Sequence, residues 1–217
     1  GLGGFLASVE IVNGDTQQAA PHSALDAAGE AQAGLFFPRA WHTATPLPTG
    51  QIFFAGGWSE VNGGRDALSF VEWYEPFGAI AVLQQPLEKA RAGHTATLVD
   101  PSPDRFTILF VGGDTDGEGT YELWSPVDGT RGAIPLPDGT NRRFHAAVAT
   151  PVLDDNGNAM DTVVIFGGES DSGPLDSGLF FVVPTESMMI HPTALPKGAR
   201  TQLTGTRVDA QHYVYFI

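Results

Sequence analysis

Three copies of Arg-x-x-His stand in this chain: Arg39-Ala-Trp-His42, Arg91-Ala-Gly-His94 and Arg142-Arg-Phe-His145. Histidine is a common general acid or base and a common metal ligand, and arginine is the usual partner of a bound anion. An active site would use one such pair. A pair that recurs three times reads instead as structural, tying one unit to the next by hydrogen bonds. Carboxylates offer a second chemistry. Asp114-Thr-Asp116-Gly-Glu118 and Asp154-Asp155-Asn156-Gly-Asn158 gather the oxygens that a hard divalent cation takes. Asp114, Asp116 and Glu118 are the better calcium candidate of the two. The same residue types also build tight turns, and the spacing and terminal Glu of an EF-hand loop are missing. His22, His191 and His212 have no ligand-like spacing. Trp58, with Glu60 and Arg65 close behind it, could line a mouth where aromatic rings stack on sugars or peptides; packing is the plainer reading for Trp58 and for Trp41.

Composition removes several classes. The chain has 217 residues, 25 acidic against 11 basic, and a formal net charge of −14 with only Lys89 and Lys197 as lysines. Binding to a nucleic-acid backbone or to an anionic membrane surface needs the opposite balance. Solubility, a cationic partner or divalent cations fit it better. There is no cysteine, so disulfides, thiolate metal sites and cysteine nucleophiles are excluded. No N-x-[ST] sequon, H-E-x-x-H, G-x-S-x-G or phosphate-binding P-loop occurs. No stretch approaches a transmembrane span and no signal peptide is read at the start, which opens GLGG.

The elements that must position these residues repeat with them. Each Arg-x-x-His leads through a turn to an apolar strand and a glycine pair: IFFA to Gly56-Gly57, ILFV to Gly112-Gly113 and VVIF to Gly167-Gly168. The motif starts lie 52 and 51 residues apart (39 to 91 to 142), and the glycine pairs 56 and 55 apart (56 to 112 to 167). A period in this range means stacked supersecondary units. Short apolar runs, 27 glycines and 16 prolines predict an all-β protein full of turns. After each glycine pair come a variable loop and a strand carrying Glu72 (LSFVEWYEP) or Glu122 (TYELWSP), with Glu10 in the same slot of LASVEIV.

Residues 1–217 read as one body. Its units are 39–76, 91–126 and 142–184, with 1–14 as the outer strands and 200–217 as the inner strands of a fourth, closing unit in which Leu203 takes the histidine slot. Residues 15–38 are an insertion, in which SALDAAGEAQ is expected to form a short helix with Ser23 as N-cap. Insertions in repeat proteins map to loops on one face, often the binding face.

Arg-x-x-His, an apolar strand, Gly-Gly, a variable loop and an aromatic-rich strand ending in Pro together resemble the kelch repeat of β-propellers, over nearly the whole chain outside the insertion. The resemblance implies a kelch-type propeller with four repeat units here, either a closed four-unit ring or part of a larger one. Copper enzymes of the galactose-oxidase type share such units, but their cofactor needs a cysteine crosslinked to tyrosine, which this chain lacks. The tyrosine expected near the outer strand's end is Tyr74 in one unit and Trp124, Val182 and Val12 elsewhere.

The functional expectation is a binding or assembly module without catalysis and without a cofactor, meeting another protein through the loops after the glycine pairs. Trp58, Glu60, Arg65, Asp114, Asp116, Glu118, Glu169 and Asp171 are its candidate contact residues. Carbohydrate is the second candidate ligand, either as a bound partner or as the substrate of a sugar hydrolase or epimerase using loop carboxylates as acid and base. No nucleic acid and no membrane insertion are expected. Arginine-rich, lysine-poor usage and the acidic balance suggest a bacterial exported or cell-surface protein.

Overall fold

Thr107-Ile-Leu-Phe-Val111 is buried at all five positions. A short run of this kind, rich in β-branched residues and flanked by a Pro/Asp turn and a glycine pair, reads as a strand covered on both faces. The computed structural model describes residues 6, 9–12, 15–22, 24–25, 31–32, 34–61, 64–74, 80–82, 85–113, 117–137, 141–153, 156–208 and 213–217, and it shows what covers them. Ile108 and Phe110 point to one side, into a cluster with Phe53, Ala55, Val71, Leu87, Phe106 and Trp124. Leu109 and Val111 point to the other, against Leu123, Leu136, Val163, Ile165, Leu179 and Phe181. The strand is the middle of a sandwich of sheets.

Three four-stranded antiparallel sheets carry the fold, each a simple meander in chain order. Sheet I is Thr43–Pro46, Ile52–Ala55, Val71–Tyr74 and Ile80–Val82. Sheet II is Thr95–Asp100, Thr107–Val111, Thr120–Ser125 and Gly129–Pro135. Sheet III is Ala146–Leu153, Ala159–Phe166, Gly178–Val182 and Ser187–Ile190. The first strands of sheets I, II and III lie side by side, and Gly205–Val208 lies against the first strand of sheet III. The chain is all-β; apart from one 3-10 turn at Val183–Thr185, no helix occurs among the described residues, and none there is long and apolar enough to cross a membrane.

The register refines the sequence reading. Each sheet takes a fourth strand, beyond the points at 76, 126 and 184 where the pattern of the sequence closes its units. Phe181, not Val182, stands level with Tyr74 and Trp124, because Val163 faces Phe181 as Ile52 faces Tyr74 and Ile108 faces Trp124. The helix expected within residues 23–32 is not formed: Ala24–Leu25 pairs antiparallel with Ala31–Gln32. Leu25 is the only large apolar side chain of SALDAAGEAQ, so a helix there would have no face to bury, and so short a helix is not stable alone. Val9–Val12 pairs with Ala19–His22, so a strand occupies ground read as insertion, and Gly205–Val208 pairs with Tyr213–Phe216. These terminal pairs stand as two separate two-stranded sheets and not as one four-stranded sheet. Gly3-Gly4 lie outside the described residues.

Adjacent sheets are joined at the glycine pairs. The second glycine donates its N–H to the carbonyl of the next arginine: Gly57 to Arg91 at 2.7 Å, Gly113 to Arg142 at 2.8 Å and Gly168 to Arg200 at 2.7 Å. The first glycine has φ of +61° to +65° in every case, and a Cβ there would run into that same arginine carbonyl. Gly50 also has a positive φ (+90°), but nothing lies within 4 Å of where its Cβ would be. Gly112→Ala should therefore cost about 3 kcal/mol or more, by strain plus collision, while Gly50→Ala costs about 1 kcal/mol. Urea unfolding of the two variants measures this; equal losses would show that the junction is not the tight point.

Candidate functional site

The arginines of the repeated motif are buried, and each is anchored within its own sheet. Arg91 donates from Nη1 to the Gly112 carbonyl at 2.6 Å, from Nη2 to Thr120 Oγ1 at 2.8 Å and from Nε to Glu122 Oε1 at 2.7 Å. Arg39 repeats the pattern with the Gly56 carbonyl and an ion pair to Glu72. Each glutamate also caps the approaching chain: Glu72 accepts from Phe36 N–H at 2.6 Å, Glu122 from Glu88 N–H at 2.7 Å. Burial lowers the pKa of both arginines, and the paired carboxylates counter part of that. In sheet III the glutamate slot holds Leu179, facing Ile165 as Glu122 faces Phe110, so Arg142 is held by the Gly167 and Ser177 carbonyls and by Ser177 Oγ.

The histidines span the joints between sheets. His94 Nε2 lies 3.0 Å from Thr43 Oγ1 of sheet I, and His145 Nε2 lies 2.9 Å from Thr95 Oγ1 of sheet II. Burial, with the neighbouring arginine charge second, lowers the pKa of His42 to about 4 and of His145 to about 3, and holds His94 well below the usual range. They are neutral packing groups at physiological pH.

The residue between arginine and histidine makes the surface. Trp41, Gly93, Phe144 and Gln202 hold the third place of successive motifs, and all four are left-handed, with φ of 56°, 71°, 55° and 57°. A backbone ladder fixes them: Gly93 N–H donates to the Trp41 carbonyl (2.9 Å), Phe144 to Gly93 (2.7 Å) and Gln202 to Phe144 (2.8 Å). A Cβ on Gly93 would lie 2.8 Å from the Phe144 ring. That missing side chain lets Phe144 reach across to Trp41, edge to face with centroids 5.4 Å apart.

The second place of the motif brings in the residue that follows each glycine pair. Ala40 and Trp58 exchange backbone hydrogen bonds (3.0 and 2.8 Å), as do Arg143 and Glu169 (3.0 and 2.9 Å). Each of these residues opens a short hairpin, Trp58–Val61 with Gly64–Ala67 and Glu169–Ser170 with Gly173–Pro174. Between the hairpins lies an open cleft of about 360 Å³, lined by Trp41, Trp58, Arg65, Arg143, Phe144 and Glu169. The Arg65 guanidinium sits 4.8 Å from the Trp41 ring centre and 5.1 Å from that of Trp58. Arg143 Nε donates to Glu169 Oε1 at 2.9 Å, with Asp171 3.9 Å from Nη1.

Of the residues singled out in the sequence, Trp58, Arg65 and Glu169 come together here. Glu60 lies opposite Arg65 on the same hairpin and is exposed, and Asp171 stands at the rim. Glu118 is exposed and outside the lining. Asp114 and Asp116, and with them most of the calcium candidate, lie outside the described residues; no cluster of three or more metal-ligating His, Asp or Glu occurs among the described ones. Arg143 and Phe144 were not picked out as surface residues, and Trp41 was read as packing although it is half exposed. The signal that finds Trp41 and Phe144 is the third place of the motif, where large aromatic residues alternate with glycine and glutamine; nothing in the sequence marks Arg143. Comparison of the chain with protein-family models and with curated proteins gives no match.

The histidines make stability depend on pH. Their folded pKa values lie below the unfolded value near 6.5, so the unfolded chain takes up protons that the folded chain refuses. Their contribution is fully present above about pH 6.5 and falls by up to about 1.4 kcal/mol per pH unit per group as pH drops toward 4. His145→Leu, which copies Leu203 of the last motif, should flatten that slope by one group. Urea midpoints at pH 7, 6, 5 and 4 (about these values) report it; an unchanged slope would remove His145 from the account.

Proposed function

We propose that the chain is a kelch-type β-propeller segment that works as a non-catalytic binding module. Three motif-to-motif junctions of one pattern and three meander sheets with first strands adjacent support the propeller reading. The four repeat units run from the three complete sheets to the Gly205–Val208 and Tyr213–Phe216 pair. Whether the ring holds four units or more is part of the same proposal, as is an exported or cell-surface location, which rests on the acidic, lysine-poor composition.

The observation that carries the binding function is the cleft itself. Tryptophan and arginine are the residues on which binding energy most often concentrates, and here Trp41, Trp58, Arg65 and Arg143 share one concave surface. Two flanking hairpins add polar rims of the kind that surround a protein contact. Catalysis on a sugar asks for two carboxyl groups placed for acid and base. Glu169 is the single carboxylate of the lining, and it is engaged by Arg143. Carbohydrate recognition without turnover is the second reading, favoured by the aromatic floor.

Arrays of saccharides and of peptides, probed with the labelled chain, test the module. The expected result is a retained ligand whose signal drops about tenfold or more in Trp58→Ala, with the melting temperature nearly unchanged. Incubation with that ligand should leave it chemically intact. Chemical conversion of the ligand, or binding indifferent to Trp58, would contradict the proposal.

A further inference from the structure

Resting on the reading of the cleft as a binding site, we infer that its ligand is a saccharide carrying a carboxylate, a sugar acid of the uronic type. The argument begins with the cost of the floor. A left-handed backbone costs a non-glycine residue about 1 kcal/mol or more, and glycine avoids it. Gly93 shows that glycine satisfies this place in the repeat, yet Trp41 and Phe144 adopt the same conformation at 56° and 55°. Two bulky aromatic side chains kept in strained positions, one of them half exposed, have a use at the surface that packing does not supply.

The second observation is charge. The chain is strongly acidic and has only 11 lysines and arginines. Arg39, Arg91 and Arg142 are buried in the sheets. Two of the others, Arg65 and Arg143, face the same cleft, so among its lining residues cations outnumber anions two to one. Glu169 beside Arg143, with Asp171 at the rim and Glu60 across from Arg65, are the acidic groups nearby. A planar guanidinium offers two parallel N–H groups to one carboxylate, and the indole surface that Trp41 keeps exposed under Arg65 suits the weakly positive C–H face of a sugar ring. The cleft is at the small end of ligand pockets, which suits one or two sugar rings.

The same charge argues against an acidic protein as the ligand. An acidic protein would bring many negative groups against a chain of net charge −14, and the repulsion acts over a Debye length of about 8–10 Å. A small ligand with a single carboxylate, entering a cleft lined by Arg65 and Arg143, brings one such charge and meets less of it.

The test uses the whole chain and three probes: methyl β-D-glucuronide, the uncharged methyl β-D-glucoside and a hexaglutamate peptide. Quenching of the tryptophan fluorescence and calorimetry report binding. The glucuronide should bind at least about tenfold more tightly than the glucoside, a difference of one charge-assisted contact. Arg65→Gln should bring the glucuronide's affinity down to that of the glucoside for the same variant, and Trp41→Ala should weaken both sugars. Equal binding of the two sugars would overturn the carboxylate, and tighter binding of the peptide would overturn the sugar. Failure of all three probes while another array ligand still depends on Trp58 would sink this inference alone. If no ligand depends on Trp58 or Trp41, the cleft is not a binding site and both readings fall.

Discussion

The carbonyl of Arg91 accepts a hydrogen bond from Gly57 of one sheet while its guanidinium is sealed inside the next, against Gly112, Thr120 and Glu122. Most of what surrounds it follows from that double commitment. A guanidinium with no exposure is tolerable only where its N–H groups meet carbonyls and a carboxylate, which fixes the third strand's register so that Glu122 faces Phe110. A carbonyl pressed against the preceding sheet leaves no room for a Cβ on the first glycine of the pair, and the motif of that sheet's own first strand crowds the second. Arg142 shows how far the scheme bends. With Leu179 in the glutamate slot, the arginine is held by neutral oxygens of Gly167 and Ser177, and the leucine joins the apolar layer between sheets II and III.

The surface inherits its geometry from this joint. Arginine and histidine are both held inward, and of the two residues between them the first pairs with the residue after a glycine pair in two motifs (Ala40 with Trp58, Arg143 with Glu169) and the second takes a left-handed turn in all four. Neighbouring turns hydrogen-bond in series from Trp41 to Gln202. The side chains in those turns are then free of the packing problem. A tryptophan, a glycine and a phenylalanine in succession build a floor, because the glycine lets the phenylalanine lean across to the tryptophan.

Much of the fold was legible because its causes are local. The run Thr107 to Val111, the turns around it and the glycine pair after it state a buried strand without reference to anything distant. The ends were less so. Ala19 to His22 carries no clear strand pattern, and its place follows from a partner, Val9–Val12, that the alanine-rich composition hides. Phe181 rather than Val182 stands level with Trp124 because register is set by hydrogen bonds that sequence counting does not see. The cleft was legible in part. Trp58 and Arg65 are neighbours in sequence and chemically conspicuous. Arg143 and Phe144 sit about a hundred residues from Trp41, and only the stacking of sheets brings them together; within their motif they look like spacers.

Amide hydrogen exchange at the second glycines tests the joint most directly. Gly57, Gly113 and Gly168 donate the hydrogen bonds between sheets. If those bonds unite the sheets into one cooperative body, their amides exchange only through global unfolding, as slowly as those of Leu109 and Ile165 in the buried strands. Exchange of the glycine amides well ahead of the strand amides would mean that the sheets part without unfolding, and the arginine joint would not be what holds them.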